Sequence, residues 1–208
     1  MSENILEITR LDDFVSFISS LQLPVVLLEG SRTIPPEDAL RATALGAMLA
    51  EMLPAAQFRT GNADGTDNAF AKGVSSVDSS RLQLVLPYKG HKKKGIPLGA
   101  ELLCIDEISE DELLTLKEVT LQASPDYGDL LKNAERSQAL KKKSLYILRD
   151  TLKVSGSCTA NWHSASAGIF FANPTNSMKG GTGHTLRVCR SQGVATIVQD
   201  FWRGWLNS

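Results

Sequence analysis

The sequence predicts an α/β protein with an open parallel sheet and helices on both faces. Val25-Val26-Leu27-Leu28 is a continuous aliphatic run, which is typical of a central parallel strand that is covered on both sides. Apolar runs and helical segments then alternate as strand, helix, strand, helix, strand, an order that favours parallel strands with right-handed crossovers. Three predicted strands also lead into glycine-containing turns, which is a common way for a strand to pass into a helix.

The first half of the chain supplies most of this alternation. The predicted elements are a helix at 11–18, a strand at 25–28, a helix at about 37–53, a strand at 58–60, a helix at 68–74 and a strand at 81–87. Pro35 and Pro36 can begin the second helix, because proline suits the first helical turn. That helix is expected to bury Leu40, Ala44, Ala47 and Met48.

The alternation stops after the third strand. A basic loop at 88–98 contains Lys89, His91, Lys92, Lys93 and Lys94. We expect residues 89–155 to form a helical insertion or lid within a single domain, including a helix at 110–122 that Ser109 caps. A buried strand at 167–172, a helix that begins at 186 and a strand at 194–198 follow. The aromatic residues Phe201, Trp202 and Trp205 are available to cover an edge of the sheet.

Net charge, cysteine content and the lack of long apolar segments limit the kinds of partner that the chain can bind. The formal net charge is -1 at pH 7, so the chain as a whole has no attraction for nucleic acid or acidic membranes, and an anion-binding surface would have to be local. The three cysteines are widely spaced and indicate neither a disulfide framework nor a zinc site. With no signal-peptide pattern and no long apolar segment, we expect a cytoplasmic protein that does not enter a membrane.

Three glycine-containing turns carry the candidate ligand-binding residues. Each turn follows a predicted strand and leads to a helix, so all three are expected at the carboxyl edge of the sheet, where ligands bind in this class of fold. Backbone N–H groups at a glycine-rich helix start suit a phosphate. The candidates are Gly30, Ser31 and Arg32 in the first turn, Gly61, Asn62, Gly65 and Asp67 in the second, and Gly180, Gly181, Thr182, Gly183, His184 and Thr185 in the third.

Catalysis would need a carboxylate or another proton-transfer group at this edge. The weak candidates are Glu29, Asp67 and His184, each of which also has a purely structural interpretation as a strand end, a helix cap or a backbone contact. No pair of histidines or cysteines has the spacing of metal ligands, so we predict no metal site, and the sequence leaves open whether Mg²⁺ assists.

These turns resemble those of the SLOG superfamily, a Rossmann-like group that includes DNA-processing protein A and the Lonely Guy phosphoribohydrolases. The matching stretches are 28–32, 61–67 and 180–185, within regions 25–87 and 167–200. The resemblance implies a Rossmann-like fold, a nucleotide ligand and a homo-oligomer. The phosphoribohydrolases follow their last glycine turn with a catalytic glutamate, whereas the corresponding position here is Arg187.

Three functions remain after these observations. The first is a sensor or binding protein for a nucleotide or a nucleotide-derived phosphate ligand, because three anion-suited turns occur without a convincing catalytic set. The second is an N-glycosidic nucleotide phosphoribohydrolase, which would need Glu29 or Asp67 in place of the missing glutamate. The third is single-stranded DNA binding, which we rank last because the chain is net acidic and only 6% of its residues are aromatic.

Overall fold

Six parallel strands form one sheet in the computed structural model, which describes residues 8–91, 95–172 and 179–207. The strands are β1 (Val25–Gly30), β2 (Gln57–Thr60), β3 (Leu82–Leu86), β4 (Glu101–Cys104), β5 (Ala167–Phe171) and β6 (Ala195–Val198). Their order across the sheet is β4-β3-β2-β1-β5-β6, and every neighbouring pair is parallel. The predicted Rossmann-like open sheet is therefore confirmed. Lys92, Lys93 and Lys94 of the predicted basic loop lie outside the described residues.

Helices cover both faces of this sheet. They are α1 (Leu11–Ser19), α2 (Pro36–Met52), α3 (Thr66–Asp78), α4 (Glu110–Ala123), α5 (Gly128–Lys132), α6 (Gln138–Ser155), α7 (Gly180–Ser191) and α8 (Gln199–Trp202). The predicted cap of α4 is confirmed, because the Ser109 hydroxyl accepts a hydrogen bond from the Glu112 amide at 3.2 Å. Within the described residues, no helix has the length and apolar character that crossing a bilayer requires.

The alternation of side chains along β1 shows how the two layers are divided. Val26 and Leu28 belong to the core formed with α1, α2 and α3, whereas Leu27 belongs to the opposite core, which Phe170 and Val188 share. Successive side chains of a strand point to opposite faces, so an unbroken aliphatic strand serves two cores at once. All six residues of β1 are buried.

The buried face of α2 differs from the predicted one. Leu40 is 74% exposed and Ala44 is also exposed, whereas Ala42, Leu45 and Leu49 are completely buried. The reason is that α2 packs closely against α3 through glycines. A Cβ added at Gly46 would lie 2.5 Å from the Phe70 carbonyl oxygen, so the buried stripe is centred on a small residue rather than on the bulkiest apolar ones.

The predicted helical insertion is wrong in one respect. Residues 101–104 form β4, which pairs with β3 and completes one edge of the sheet. The helix α6 is also part of the main fold, because Leu148 and Leu152 pack against Val85 of β3 and Leu103 of β4. The segment 89–155 therefore contributes a strand and most of a helical layer.

The C-terminal aromatic residues pack into the core rather than along an edge. Trp202 is fully buried, donates a hydrogen bond from Nε1 to the Phe170 carbonyl at 2.9 Å and lies edge-on to Phe70. Trp205 lies against Phe14, while Phe201 is partly exposed. The chain end thus closes the α1–α3 side of the sheet.

The close contact of α2 with α3 is testable through Gly73. An added Cβ would lie 2.0 Å from the Thr43 carbonyl oxygen, so Gly73→Ala should force the two helices apart. Although alanine favours the helical state more than glycine does, we expect the free energy of unfolding to fall by about 2 kcal/mol. Urea denaturation measures this change. The control is Gly204→Ala, whose Cβ would meet nothing within 4 Å and which should change stability by less than about 0.5 kcal/mol. Equal effects in the two variants would contradict this account of the interface.

Candidate functional site

A cavity of about 700 Å³ opens at the carboxyl ends of β1 and β5. From β1 the chain passes to α2 on one face of the sheet, and from β5 it passes to α7 on the other, so the order of strands reverses at this point. Such a reversal leaves a crevice between the two departing chains, and ligands of open α/β sheets bind there. The cavity is lined by Glu29, Gly30, Ser31, Arg32, Ala63, Tyr127, Lys142, Lys143, Tyr146, Ile147, Arg149, Asp150, Lys179, Gly180, Gly181 and Thr182.

The first turn is held rigidly between β5 and α3. Only glycine fits at position 30, because a Cβ would lie 2.6 Å from the Phe171 carbonyl oxygen. The Ser31 amide donates to that same oxygen at 2.9 Å, and the Ser31 carbonyl accepts from both the amide and the hydroxyl of Thr66. Arg32 is exposed, and its guanidinium lies 5.7 Å from the centre of the Tyr146 ring. This turn forms one wall of the cavity.

The second turn is organised around Asp67, which is completely buried. Its Oδ1 accepts a hydrogen bond from the Gly30 amide at 3.2 Å, and its Oδ2 accepts from the amides of Gly61 at 3.1 Å and Ala63 at 3.2 Å. One carboxylate thus ties the end of β1 to the end of β2. Of this turn, only Ala63 lines the main cavity, so the structure keeps Gly61, Asn62, Gly65 and Asp67 away from it.

The third candidate segment is part of a helix rather than a turn before one. We expected Gly180–Thr185 to precede the helix, but α7 begins at Gly180 itself. The first residues, Gly180, Gly181 and Thr182, line the cavity, whereas Gly183, His184 and Thr185 are buried on the other side of the helix. Glycine lowers helix propensity, but packing of α7 on α6 overrides that local preference.

His184 is therefore not a cavity residue. Its Nδ1 lies 2.8 Å from the Ser124 hydroxyl, its Nε2 lies 2.9 Å from the Thr151 hydroxyl, and Tyr127 packs edge-on against its ring. Burial lowers the pKa of His184 to about 4, so the ring is neutral at pH 7. The geometry gives this histidine a role in joining α7 to α4 and α6.

Arg187 occupies the position where the resemblance implied a catalytic glutamate. Its Nε donates a hydrogen bond to the Ser124 hydroxyl at 2.7 Å, in the same layer as His184. It does not line the main cavity. No carboxylate reaches the cavity from this helical position.

Two buried carboxylates do reach the cavity, from β1 and α6. Glu29 lines it at the end of β1, and Asp150 lines it from α6. The ammonium of Lys153 binds both of them, at 2.8 Å from Asp150 Oδ1 and in direct contact with Glu29 Oε2. Arg149 also donates to Asp150 Oδ1, through Nη2 at 2.7 Å and Nε at 3.1 Å.

The second oxygen of Asp150 faces the start of α7. A Cβ at Gly181 would lie 2.6 Å from Asp150 Oδ2, so only glycine allows this approach. A negative charge beside the first turn of a helix is stabilised by the helix dipole. Asp150 thus connects the charged network with the end of α7 that lines the cavity.

The network gives its two carboxylates different proton affinities. Burial raises the pKa of Glu29 to about 8, and the charge of Asp67 adds to this, while Lys153 opposes it. Burial also acts to raise the pKa of Asp150, but Arg149 and Lys153 outweigh that effect and hold it well below its usual range. Asp150 is therefore ionised, whereas Glu29 can hold a proton near neutral pH.

Sequence reasoning missed the contribution of α6. Arg149, Asp150 and Lys153 all belong to one helix, and the signal was their position in the otherwise apolar stretch Leu145–Val154. Charged side chains are rarely buried unless they are paired, so three of them on an apolar helix indicate a buried polar network. The partner on β1 could not be found in this way.

The described residues contain no group of three or more histidine, cysteine, aspartate or glutamate side chains placed to hold a metal ion. A role for Mg²⁺ stays an open prediction.

Fold and site together define a Rossmann-like α/β protein with a charged cavity at its topological switch point. No protein-family model matches the chain, and no curated protein matches it. Among solved structures, the chain is similar to DNA processing protein A from Helicobacter pylori, with 14% sequence identity, a TM-score of 0.48, and coverage of 94% of this chain and 74% of that chain.

The description of that structure names a unique single-stranded DNA binding mode. This is a property of the Helicobacter pylori protein, and the low rank of nucleic acid as a partner of the present chain stays a prediction. A similarity of this size carries no argument about the ligand of the present chain.

The buried state of His184 predicts a pH dependence of stability. Its pKa of about 4 in the folded state lies below the ordinary value of about 6.5, so the unfolded chain binds the proton more tightly. The stabilisation from the neutral ring is complete above about pH 6.5 and is lost as the pH falls toward 4, by up to about 3 kcal/mol. Urea denaturation between pH 7.5 and 4.5 should show a smaller pH-dependent loss for His184→Gln than for the unmodified chain.

The comparison of the two proteins at each pH isolates His184, because Glu29 and every other titrating group are present in both. Parallel curves for the variant and the unmodified chain would show that His184 does not titrate in this way.

Proposed function

We propose that this chain binds a nucleotide or a nucleotide-derived phosphate ligand in the cavity between β1, β5 and the start of α7. The observation that carries this proposal is the excess of positive charge around a cavity at the topological switch point. Five lining residues are basic and two are acidic, although the chain as a whole has a net charge of -1. Cationic side chains around a cavity raise the local concentration of anionic ligands.

The start of α7 supports a phosphate site at one end of the cavity. The first amides of a helix have no partners within the helix, and the helix dipole favours negative charge there. The first turn of α7 contains no acidic residue, and Gly180 has nothing within 4 Å of an added Cβ. The exposed Lys179 precedes this turn and lines the same cavity. A phosphate could therefore approach these amides from the side of the exposed Lys179 and Gly180, because the ionised Asp150 beside Gly181 would repel it.

Two tyrosines support a site for the base of a nucleotide. Tyr146 and Tyr127 are both half-buried and line the cavity. The Tyr146 ring already lies near two guanidinium groups, with Arg149 at 5.2 Å and Arg32 at 5.7 Å from its centre. Stacking of a base on an aromatic ring contributes about 1–3 kcal/mol.

The same geometry supports membership in the SLOG superfamily as a proposal. All three motif turns contribute residues to one cavity, the second through Ala63, and Asp67 ties that second turn to the first. The cytoplasmic location rests on the sequence and the homo-oligomer on the resemblance, and both stay proposals.

Removal of two lysines should weaken this binding. Lys142 and Lys143 are exposed and line the cavity, so the double variant Lys142→Ala/Lys143→Ala should bind adenosine monophosphate about tenfold more weakly in low salt, with little change in stability. Isothermal titration calorimetry measures the affinity. The matched control is Lys141→Ala, which removes an exposed lysine of the same helix that does not line the cavity.

A labelled single-stranded oligonucleotide is titrated in parallel. If the chain binds the oligonucleotide but none of a panel of nucleotides, dinucleotides and sugar phosphates, the proposal is wrong and single-stranded DNA binding replaces it. Equal losses in the control and in the double variant would indicate a nonspecific charge effect and would count against this cavity.

Hydrolysis of a nucleotide N-glycosidic bond is the second candidate function. The observation that favours it is the pair of cavity carboxylates, Glu29 and Asp150, whose pKa values are shifted in opposite directions. They share the Lys153 ammonium, so their oxygens are no more than about 6 Å apart at normal hydrogen-bond lengths. A separation of about 5–5.5 Å is typical of the carboxylate pairs of glycosidases that retain the configuration of the sugar.

In this reaction, Glu29 would give its proton to the departing base. Asp150, which stays ionised, would stabilise the positive charge that develops on the sugar. Water then adds to the anomeric carbon and gives its proton to the Glu29 carboxylate, which restores the acid, and the products are the free base and the sugar phosphate. Asp150 would thereby supply the negative charge that Arg187 does not.

Glu29→Gln and Asp150→Asn should each abolish the release of free base from nucleoside monophosphates. Chromatography of reactions at high enzyme concentration measures this release. Glu37→Gln, which alters an exposed carboxylate on α2, should leave the release unchanged. Because a broken buried ion pair costs about 3–5 kcal/mol, the variants are first checked for cooperative unfolding. No release of base by the unmodified chain would exclude this second function and leave binding alone.

A further inference from the structure

A second cavity lies at the same edge of the sheet, beyond β2. It has a volume of about 360 Å³ and lies between the β2–α3 turn and α3. The polar residues that line it are Asn62, Asp64, Asn68, Lys72, Ser75 and Ser76. None of these residues lines the main cavity.

Two buried polar atoms in the wall of this second cavity have no hydrogen-bond partner. They are Nδ2 of Asn62 and Oγ of Ser75, two of five such side-chain atoms in the described part of the chain. Asn62 is only 6% exposed, so its unmade hydrogen bond is not simply replaced by bulk water. A buried polar group without a partner costs about 1–3 kcal/mol. A ligand that offers hydrogen-bond acceptors here would recover that loss.

The second cavity and the main one each share lining residues with a third, smaller space. A small hollow of about 100 Å³ lies between them, lined by Arg32, Ala63, Asp64, His91, Tyr146 and Arg149. It shares Arg32 and Arg149 with the main cavity and Asp64 with the second. The three spaces therefore follow one another along the carboxyl edge, with two guanidinium groups in the middle. Paired guanidinium groups bind phosphate oxygens well.

The second cavity has one cation, Lys72, and one anion, Asp64, so its lining suits an uncharged base better than a second phosphate. Asp64 is a carboxylate, and it accepts a hydrogen bond from Asn68 at 3.5 Å. A carboxylate repels a phosphate but accepts from an exocyclic amine, while Asn62 Nδ2 and the Ser75 hydroxyl donate to ring nitrogens or carbonyl oxygens. Asparagine pairs with adenine through this combination of groups.

We propose that the ligand is of the dinucleotide type. One nucleoside lies in the main cavity, the bridging phosphates bind Arg32 and Arg149, and the second base lies in the cavity of Asn62 and Ser75. This inference rests on the proposed function, because it extends the same binding site. It assigns Asn62 and Ser75 as residues that distinguish a dinucleotide from a mononucleotide.

Calorimetry with two probes tests this inference. The unmodified chain should bind diadenosine diphosphate at least about tenfold more tightly than adenosine monophosphate. Asn62→Asp replaces the donor with an acceptor of the same shape, so it should remove most of this preference and leave the affinity for the monophosphate unchanged. The matched control is Asn161→Asp. Asn161 has a left-handed backbone like that of Asn62, with φ of 54° against 52°, but is exposed and precedes β5 at the opposite edge of the sheet.

Ser75→Ala is the second variant. It removes a hydroxyl that has no partner in the free protein, so it should not lower stability, and it should weaken dinucleotide binding several-fold. This variant keeps the test decisive if Asn62→Asp fails to fold.

The outcomes separate this inference from the proposed function. If neither probe nor any other ligand of the panel binds, the proposed function fails and this inference fails with it. If both probes bind the unmodified chain equally well, or if Ser75→Ala and Asn62→Asp weaken both probes alike, the second cavity is not a base site and the inference is overturned while nucleotide binding stands. A preference for the dinucleotide that only the Asn62 and Ser75 variants remove supports the inference.

Discussion

The buried ammonium of Lys153 is the interaction on which the candidate site depends. It contacts Glu29 at the end of β1 and Asp150 one turn earlier on its own helix, so it fixes α6 against the sheet at the edge where the cavity opens. A buried ion pair is costly to form and far more costly to break on one side, because the remaining charge is left without water or a partner. Arg149 adds a second cation to Asp150, and this surplus of positive charge keeps Asp150 ionised.

Asp67 fixes the backbone at the same edge of the sheet, as Lys153 fixes α6. Its three hydrogen bonds from amides hold the ends of β1 and β2 in one arrangement, and the glycines at positions 30 and 61 leave room for neighbouring atoms. A rigid edge of this kind allows backbone groups and exposed cations to be presented to a ligand without further ordering, which reduces the entropic cost of binding. The proposed nucleotide site therefore combines a rigid network of buried charged side chains with exposed lysines at the opening of the cavity.

Much of the fold could be predicted because local sequence patterns reflect burial directly. The aliphatic run at 25–28 and the strands at 58–60, 81–87 and 194–198 all correspond to strands of the sheet. The short strand β4 was missed, since its four residues are too few to show the pattern of a strand and Leu102 is partly exposed at the sheet edge. The buried stripe of α2 was also misplaced, because only the contact with α3 shows that Gly46 lies at its centre.

The sequence by itself determined the fold class, the first two turns and the position of the third glycine-rich segment, since the hydrophobicity of strands and the placement of glycines are local properties. Only the tertiary structure decided which of those residues face a cavity. It turned His184 into a buried neutral ring and left Gly180, Gly181 and Thr182 at the cavity wall. It also brought Asp150 and Lys153 from α6 to Glu29, more than 100 residues away in the chain. Contacts over that separation follow from packing of whole elements, and no local pattern records them.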